Sequence, residues 1–229
     1  MAKKKFDRIL FFGRYNCENT LKVLKFLKSK SKKVFFYKSK KVGEILNIKR
    51  NHLKCDYIFC FRSYFILKKK HINAPKFSAV NFHPAPPEYR GSGVVNFSIY
   101  NKEKKFGCTA HIINEKIDSG KIIDVHRFKV TKDEGVEQIL SKTHKHLLNQ
   151  AKKVINKLYM SRLNLEIMIN KSKKIKWSNV IKKKKDLDKF YEINLKLSDN
   201  DFKQKILATK YLKFKPFIKF KSKKFFLEK

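Results

Sequence analysis

Acidic residues are scarce in this chain, and their scarcity leaves it strongly basic. The 229 residues include 19 Asp or Glu against 57 Lys or Arg, giving a formal charge of +38 at pH 7. A charge of this size favours polyanionic partners such as nucleic acid, nucleotides or an anionic membrane surface. However, the abundant Lys, Asn, Ile, Phe and Tyr residues all have codons rich in A and T. Nucleotide bias and a polyanionic partner therefore both remain explanations of the charge.

Cysteine is also sparse, and the spacing of the cysteines excludes a C-x-x-C motif and a zinc knuckle. The four cysteines, Cys17, Cys55, Cys60 and Cys108, form no C-x-x-C pair. The interval between Cys55 and Cys60 is wrong for a zinc knuckle. This pattern predicts no metal site and favours a reduced, cytoplasmic protein.

Long apolar runs are also missing. No segment approaches the roughly 18 apolar residues of a membrane span, and the ILFF run near the N-terminus is too short for a signal-peptide core. We therefore expect a soluble protein without membrane insertion. A hydrophobic content of 42% is still sufficient for one sizeable core.

The first third of the sequence alternates between apolar runs and amphipathic segments. Buried strands are predicted at 6–12, 33–38 and 56–61, and helices at 20–30 and 42–53. Asn16 or Asn19 is the predicted N-cap of the first helix. This alternation predicts an α/β fold, a doubly wound and mostly parallel sheet that binds ligands beyond the carboxyl ends of its strands.

The remaining sequence divides near residue 160. Strands are predicted at 77–83, 106–113 and 121–130, and helices at 94–101 and 133–160. Short basic segments follow. We therefore predict a catalytic domain over residues 1–160 and a small basic extension over 161–229 that ends in a β-hairpin. The single tryptophan, Trp177, is interpreted as a packing residue, with stacking on a nucleotide base as the alternative.

Three of the five prolines fall in one short stretch, NFHPAPPEYRG, at residues 81–91. Asn81 and His83 are two residues apart at the end of a predicted strand, so their side chains share one face. Asp118 lies in the turn IDSGK, where Gly120 is expected to allow a backbone conformation that other residues resist.

An Asn, a His and an Asp at one edge of a sheet suit the attack of an amine on a carbonyl. The amide N–H groups of Asn81 can donate to a developing oxyanion, and His83 can donate to the same oxygen or transfer a proton. Asp118 can raise the pKa of the His and accept the proton that the amine loses.

These motifs resemble the folate-dependent formyltransferase family over roughly residues 6–150. The pattern N-x-H-P, Y-R-G, G-x-T-x-H and D-x-G is present, beginning at Asn81, Tyr89, Gly107 and Asp118. The resemblance implies a Rossmann-like fold and places the catalytic residues at Asn81, His83 and Asp118. Tyr89, Arg90, Gly91 and His111 are candidate substrate contacts, with two alternatives: Arg90 anchors the loop, and His111 is a strand residue that supports Asp118.

The same resemblance implies that 10-formyltetrahydrofolate is the co-substrate. Two segments would hold its pterin ring. The first comprises Ser63, Tyr64, Phe65, Ile66 and Leu67, and the second Asn114, Glu115, Lys116 and Ile117. The apolar and aromatic character of the first segment suits such a pocket.

The residues that follow His83-Pro84 bear on which acceptor the protein uses. The sequence Ala85-Pro86-Pro87 is similar to the amino-sugar branch of the family, which implies a nucleotide-linked 4-amino-4,6-dideoxy sugar for surface glycan synthesis as acceptor. A compact methionyl-tRNA formyltransferase is the first alternative, with tRNA as its partner. An inactive relative that binds nucleic acid through its basic surface is the second. A homodimer is compatible with each interpretation.

Overall fold

A six-stranded sheet forms the centre of the molecule. The structure, a computed structural model, describes residues 5–45, 47–160, 164–212 and 214–227. In the central sheet the strand order is β2-β1-β3-β4-β6-β7. The strands are β1 (Phe6–Arg14), β2 (Ser31–Ser39), β3 (Tyr57–Phe61), β4 (Ser78–His83), β5 (Arg90–Gly91), β6 (Lys105–Ile112), β7 (Ile122–Lys129), β8 (Ile181–Lys182), β9 (Phe217–Phe220) and β10 (Lys223–Phe226).

Helices connect and cover these strands. They are α1 (Glu18–Lys30), α2 (Lys69–Ile72), α3 (Val94–Tyr100), α4 (Val136–Met160), α5 (Asn164–Lys171), α6 (Lys184–Phe190) and α7 (Asp199–Thr209). The first four strands of the sheet are parallel, whereas β6 and β7 are antiparallel to their neighbours. The prediction of a mostly parallel α/β sheet is therefore confirmed. Within the described residues, no helix is both long and apolar enough to cross a membrane.

One face of the sheet carries the larger core. Phe11, Phe59 and Phe82 project from β1, β3 and β4 and pack with Val23 of α1 and Leu147 of α4. The three Phe side chains are almost completely buried. Each such side chain contributes roughly 1.5–3 kcal/mol of transfer free energy. This packing holds the parallel strands in place. The predicted site residues lie at the carboxyl ends of these strands.

The helix predicted at residues 42–53 is wrong. Only Arg50–His52 form a short 3-10 helix, Leu46 lies outside the described residues, and the rest is turn or irregular. Gly43 has a φ of +80°, which interrupts a right-handed helix, and Ile45 is 93% exposed. The apolar residues therefore never form the continuous buried face that stabilises a helix. Leu53 and Ile72 still pack on the second face of the sheet.

The predicted cap of α1 is also wrong. Cys17 occupies the N-cap position and makes no side-chain cap hydrogen bond. Asn16 precedes it with a φ of 47°, and Asn19 lies inside the helix, where its amide donates to the carbonyl of His144. The first turn of α1 therefore lacks the side-chain oxygen that usually accepts hydrogen bonds from its N–H groups.

The C-terminal segments end in the predicted antiparallel hairpin, which β9 and β10 form. Before it, α7 packs on α3, and the Asn96 amide donates to the carbonyl of Ala208 at 2.7 Å. The two-residue strand β8 pairs with β5 next to the proline-rich loop. The division at residue 160 stays a prediction, and residues 161–163 of the predicted extension lie outside the described residues.

Candidate active site

Asn81 and His83 lie at the carboxyl end of β4, where they face β6. The antiparallel register pairs Asn81 with His111 and His83 with Thr109. The amide nitrogen of Asn81 is 3.1 Å from Nε2 of His111. Nδ1 of His111 is 2.8 Å from the carbonyl oxygen of Ile112. Because a carbonyl oxygen can only accept, Nδ1 carries the ring proton and donates it to this oxygen in a hydrogen bond. In the neutral ring Nε2 then accepts from Asn81, which leaves the second amide N–H of Asn81 for another acceptor.

Asp118 completes the cluster from the loop between β6 and β7. Its carboxylate lies 3.4 Å from Nδ1 of His83 and 3.6 Å from Nε2 of His111. The N–H of Gly91 donates to the same carboxylate at 3.4 Å. The structure therefore brings Asn81, His83 and Asp118 together, with His111 between the first and the last.

The turn that carries Asp118 depends on close backbone packing. The left-handed conformation belongs to Asp118, whose φ is 43°, and not to Gly120 as the sequence suggested. A Cβ atom at Gly120 would lie 1.8 Å from the carbonyl oxygen of Ile112. Glycine is therefore needed at position 120 because the backbone of β6 passes directly beside it.

Burial and neighbouring charges shift the pKa values of Asp118 and His83. Burial raises the pKa of the Asp118 carboxyl, but His83, His111 and the Gly91 N–H outweigh it and lower that pKa to about 2. Burial lowers the pKa of His83 by more than the Asp118 carboxylate and the Tyr89 carbonyl raise it. At neutral pH the pair therefore consists of an ionised Asp118 and a neutral His83, which can take up a proton.

A cavity of about 220 Å³ opens beside this cluster. Asn81, His111 and Asp118 line it, whereas His83 is 6% exposed and is not among the lining residues. Eight of the nine residues in the two segments predicted to hold the pterin also line it, namely Ser63, Phe65, Ile66, Leu67, Asn114, Glu115, Lys116 and Ile117. The ninth, Tyr64, does not line the cavity, and the guanidinium of Arg14 lies 4.2 Å above its ring.

The Tyr89-Arg90-Gly91 stretch contacts His83, Asp118 and the backbone of neighbouring segments. The carbonyl of Tyr89 lies 3.0 Å from Nε2 of His83. Arg90 donates to the carbonyls of Ser178 and Ile117 at 2.6 and 2.9 Å. These contacts hold the loop and the Asp118 turn in place, and a role of the three residues in substrate binding stays a prediction.

Trp177, which the sequence indicated as a packing residue, lies beside the cluster. Its ring meets those of His111 and His83 edge-on, with centroids 5.0 and 6.0 Å apart. Its indole N–H donates to the carbonyl of Gly120 at 2.8 Å. Residue 177 lies far from the motifs in sequence, and the β5–β8 pairing brings it to the site, so no local pattern identifies it.

Comparison with known proteins agrees with this geometry. The family model described as "Formyl transferase" matches residues 13–158. Methionyl-tRNA formyltransferase of Alkaliphilus oremlandii (strain OhILAs) is 32% identical over 107 residues, which are 46% of this chain and 33% of that protein. The aligned stretches span one third or less of the curated relatives' length.

Two solved structures share the fold over almost the whole chain. A 4-N formyltransferase from Francisella tularensis has a TM-score of 0.71 at 22% identity and covers 95% of this chain and 96% of its own. An N-formyltransferase from Helicobacter canadensis, solved with folinic acid and dTDP-3-aminofucose, has a TM-score of 0.68 at 18% identity, with 95% and 86% covered. Together with the family match over residues 13–158, which is more than half of the sequence, the fold and the site show that this chain belongs to the formyl transferase family.

Proposed function

We propose that this protein transfers a formyl group from 10-formyltetrahydrofolate to the primary amine of a nucleotide-linked amino sugar. The observation that carries the proposal is the cluster of Asn81, His83, Asp118 and His111 beside a cavity lined by the predicted folate segments. Family membership supports the reaction class. The relative from Helicobacter canadensis, solved with dTDP-3-aminofucose, supports the kind of acceptor.

The cavity suits the ring end of a reduced folate. Phe65, Ile66 and Leu67 supply an apolar wall, and Asn114 supplies polar atoms close by. Pockets that enclose a whole drug-sized ligand measure roughly 300–1,000 Å³. A cavity of about 220 Å³ therefore fits the pterin ring system, with the remainder of the molecule outside. When bound, the folate supplies the formyl group and a nitrogen leaving group.

The residues of the chain have separate tasks in this reaction. Amine attack on the formyl carbon creates an oxyanion, to which the free amide N–H of Asn81 donates. Asp118 accepts the proton that the amine loses and shares it with His83, 3.4 Å away. When the bond from carbon to the folate nitrogen breaks, the same pair returns the proton to that nitrogen. One proton leaves the amine and one reaches the leaving group, so the pair is regenerated.

The second candidate is a methionyl-tRNA formyltransferase. The curated relative from Alkaliphilus oremlandii and the charge of +38 favour it. An amino sugar is supported instead by the relative from Helicobacter canadensis, which was solved with dTDP-3-aminofucose and shares the fold over 95% of this chain.

An acceptor panel separates the two candidates. The protein is incubated with 10-formyltetrahydrofolate and either nucleotide-linked amino sugars or charged initiator tRNA, and release of tetrahydrofolate is followed. We expect turnover with an amino sugar and none with tRNA. Turnover with tRNA alone, with binding that weakens steeply as salt rises, would instead support the second candidate. Absence of turnover with every amine would contradict both.

A further inference from the structure

The peptide groups on either side of Arg90 contact the two residues of the proton-transfer pair. On one side, the carbonyl oxygen of Tyr89 lies 3.0 Å from Nε2 of His83. On the other side, the N–H of Gly91 donates to the Asp118 carboxylate at 3.4 Å. The backbone at position 90 therefore sets where His83 and Asp118 lie relative to each other.

The contact with Tyr89 also determines which nitrogen of His83 carries the ring proton. A carbonyl oxygen can only accept a hydrogen bond, so Nε2 is the protonated nitrogen of the neutral ring. Nδ1 then presents its lone pair to the Asp118 carboxylate, 3.4 Å away. Two acceptors face each other there, and a proton taken up between them forms a charge-assisted hydrogen bond. Nδ1 is therefore the atom of His83 that gains a proton.

Arg90 anchors this backbone through buried hydrogen bonds. It is 8% exposed, and its two terminal nitrogens donate to the carbonyls of Ser178 at 2.6 Å and Ile117 at 2.9 Å. Ile117 directly precedes Asp118 in the turn. Ser178 follows Trp177, whose ring centre lies 5.9 Å from the guanidinium carbon of Arg90. One buried cation therefore joins the proline-rich loop, the Asp118 turn and the C-terminal segment.

The position of Arg90 favours anchoring over contact with the substrate. It is not among the residues that line the cavity, and both of its terminal nitrogens bind backbone carbonyls. Its Nε is buried and has no hydrogen-bond partner among the described residues. A guanidinium in these surroundings serves the protein interior, because its donors meet backbone oxygens before any ligand reaches them.

The charge of Arg90 also acts on His83. Burial makes the largest change to the pKa of His83 and lowers it. The Asp118 carboxylate and the Tyr89 carbonyl raise this pKa, whereas the charges of His111 and Arg90 lower it. Arg90 therefore helps to keep the ring neutral, the state in which Nδ1 can accept a proton.

We propose that Arg90 is a positioning residue for formyl transfer, which fixes His83 as the Nε2–H tautomer and directs the transferred proton to Nδ1. This inference rests on the proposed function and makes its proton path more specific. The proton that the amine loses passes to the Asp118 carboxylate and then to Nδ1, giving an imidazolium that still donates to Tyr89. As the bond between the formyl carbon and the folate nitrogen breaks, the proton returns through Asp118 to that nitrogen, and the ring is neutral again.

A nitrogen NMR spectrum of the wild-type protein tests the tautomer without any reaction. The histidines are isotopically labelled on nitrogen, and correlations between ring protons and ring nitrogens are recorded at neutral pH without substrates. His83 is assigned from the signals that His83→Ala lacks. We expect a neutral ring with its proton on Nε2. A proton on Nδ1 instead would overturn the proposal, and so would a ring that is already an imidazolium at neutral pH.

Substitution of Arg90 tests the positioning role. In Arg90→Gln, kcat with the amino-sugar acceptor should fall about tenfold to a hundredfold, because the pair loses its fixed geometry, whereas the acceptor KM should change by less than about threefold. Loss of the charge allows His83 to be protonated at higher pH, so the acidic limb of kcat should move to higher pH. Arg90→Lys keeps the charge, and it should recover part of kcat and retain the wild-type limb.

The matched control is Arg127→Gln. Arg127 also contacts the proline-rich loop, through an ion pair with Glu88 at 2.6 Å, but both side chains are about half exposed. Exposed ion pairs contribute little, so this variant should retain the wild-type kcat and pH profile. Equal losses of kcat in Arg127→Gln and Arg90→Gln would overturn the proposal, because any anchor of the loop would then suffice.

Two further results would contradict the role of Arg90. The first is a rise in the acceptor KM of Arg90→Gln at unchanged kcat, which would assign Arg90 to substrate binding. The second is an acidic limb and a His83 tautomer in folded Arg90→Gln that match those of wild type. Melting temperatures show whether each variant is folded, and the wild-type spectrum decides the tautomer even if Arg90→Gln does not fold. Absence of turnover with every acceptor contradicts the proposed function and leaves the spectrum unchanged, so the two failures differ.

Discussion

The ionisation of Asp118 is coupled to the folded structure. Its side chain is 11% exposed, and its pKa is lowered from 3.8 to about 2 despite burial, because His83, His111 and the Gly91 N–H favour the carboxylate. A carboxyl whose folded-state pKa is depressed contributes stability that is present above its unfolded pKa and lost as the pH falls through the folded one.

This coupling predicts a specific effect of Asp118→Asn. Between pH 5 and pH 2, the wild-type free energy of unfolding should fall by about 2 kcal/mol more than that of the variant, because the variant has no carboxylate to protonate. Urea unfolding at a series of pH values measures the difference. Parallel pH profiles for the two proteins would show that the carboxylate is not stabilised in the native state.

Trp177 contacts the site through one hydrogen bond and two ring contacts. Trp177→Phe keeps an aromatic ring beside His111 and His83 but removes the donor to the carbonyl of Gly120. Leaving that carbonyl unpaired should lower the free energy of unfolding by about 1–3 kcal/mol. Because Gly120 is two residues from Asp118, kcat should fall more than KM rises. Unchanged stability and kcat would mean that the indole N–H does not position the turn.

At the scale of elements, the local apolar pattern was sufficient for most of the sheet. Strand β3 and residues 9–12 of β1 are continuous apolar runs that are buried on both faces of the sheet. Helix α4 has an apolar stripe because only one of its faces is buried. The apolar spacing of segment 42–53 resembles that of a helix, but Gly43 has a φ of +80° and Ile45 is 93% exposed, so the segment presents no continuous buried face.

The turn between β6 and β7 should not tolerate a larger residue at position 120. A Cβ atom at Gly120 would lie 1.8 Å from the carbonyl oxygen of Ile112, so Gly120→Ala must move either strand β6 or the Asp118 turn. We expect a destabilisation of about 1–3 kcal/mol and a loss of turnover larger than that loss of stability explains.

The matched control is Gly135→Ala. The nearest atom to a Cβ atom there is the side-chain oxygen of Gln138 at 3.3 Å, and this side chain can move. Denaturant unfolding and kcat of both variants are compared. If Gly120→Ala behaves like Gly135→Ala, the close approach does not constrain the site.

For the whole molecule, the site combines motif residues that could be predicted with distant residues that could not. Periodicity along β4 placed Asn81 and His83 on one face, and the family pattern supplied Asp118. Trp177 reaches the site through the long-range pairing of β5 with β8, which leaves no local signal in the sequence. The C-terminal segments therefore contribute directly to the site, although the sequence presented them as an appendage.

The central claim is that Asn81, His83 and Asp118 carry formyl transfer, and one rate comparison tests it most directly. Release of tetrahydrofolate is measured for His83→Ala and for His126→Ala, whose His lies on β7 and contacts His146 at 2.9 Å instead of the site. We predict that His126→Ala retains wild-type turnover, whereas His83→Ala, folded to the same extent, loses about 10²–10⁴-fold in kcat. Turnover by His83→Ala within a few-fold of the control would contradict the claim.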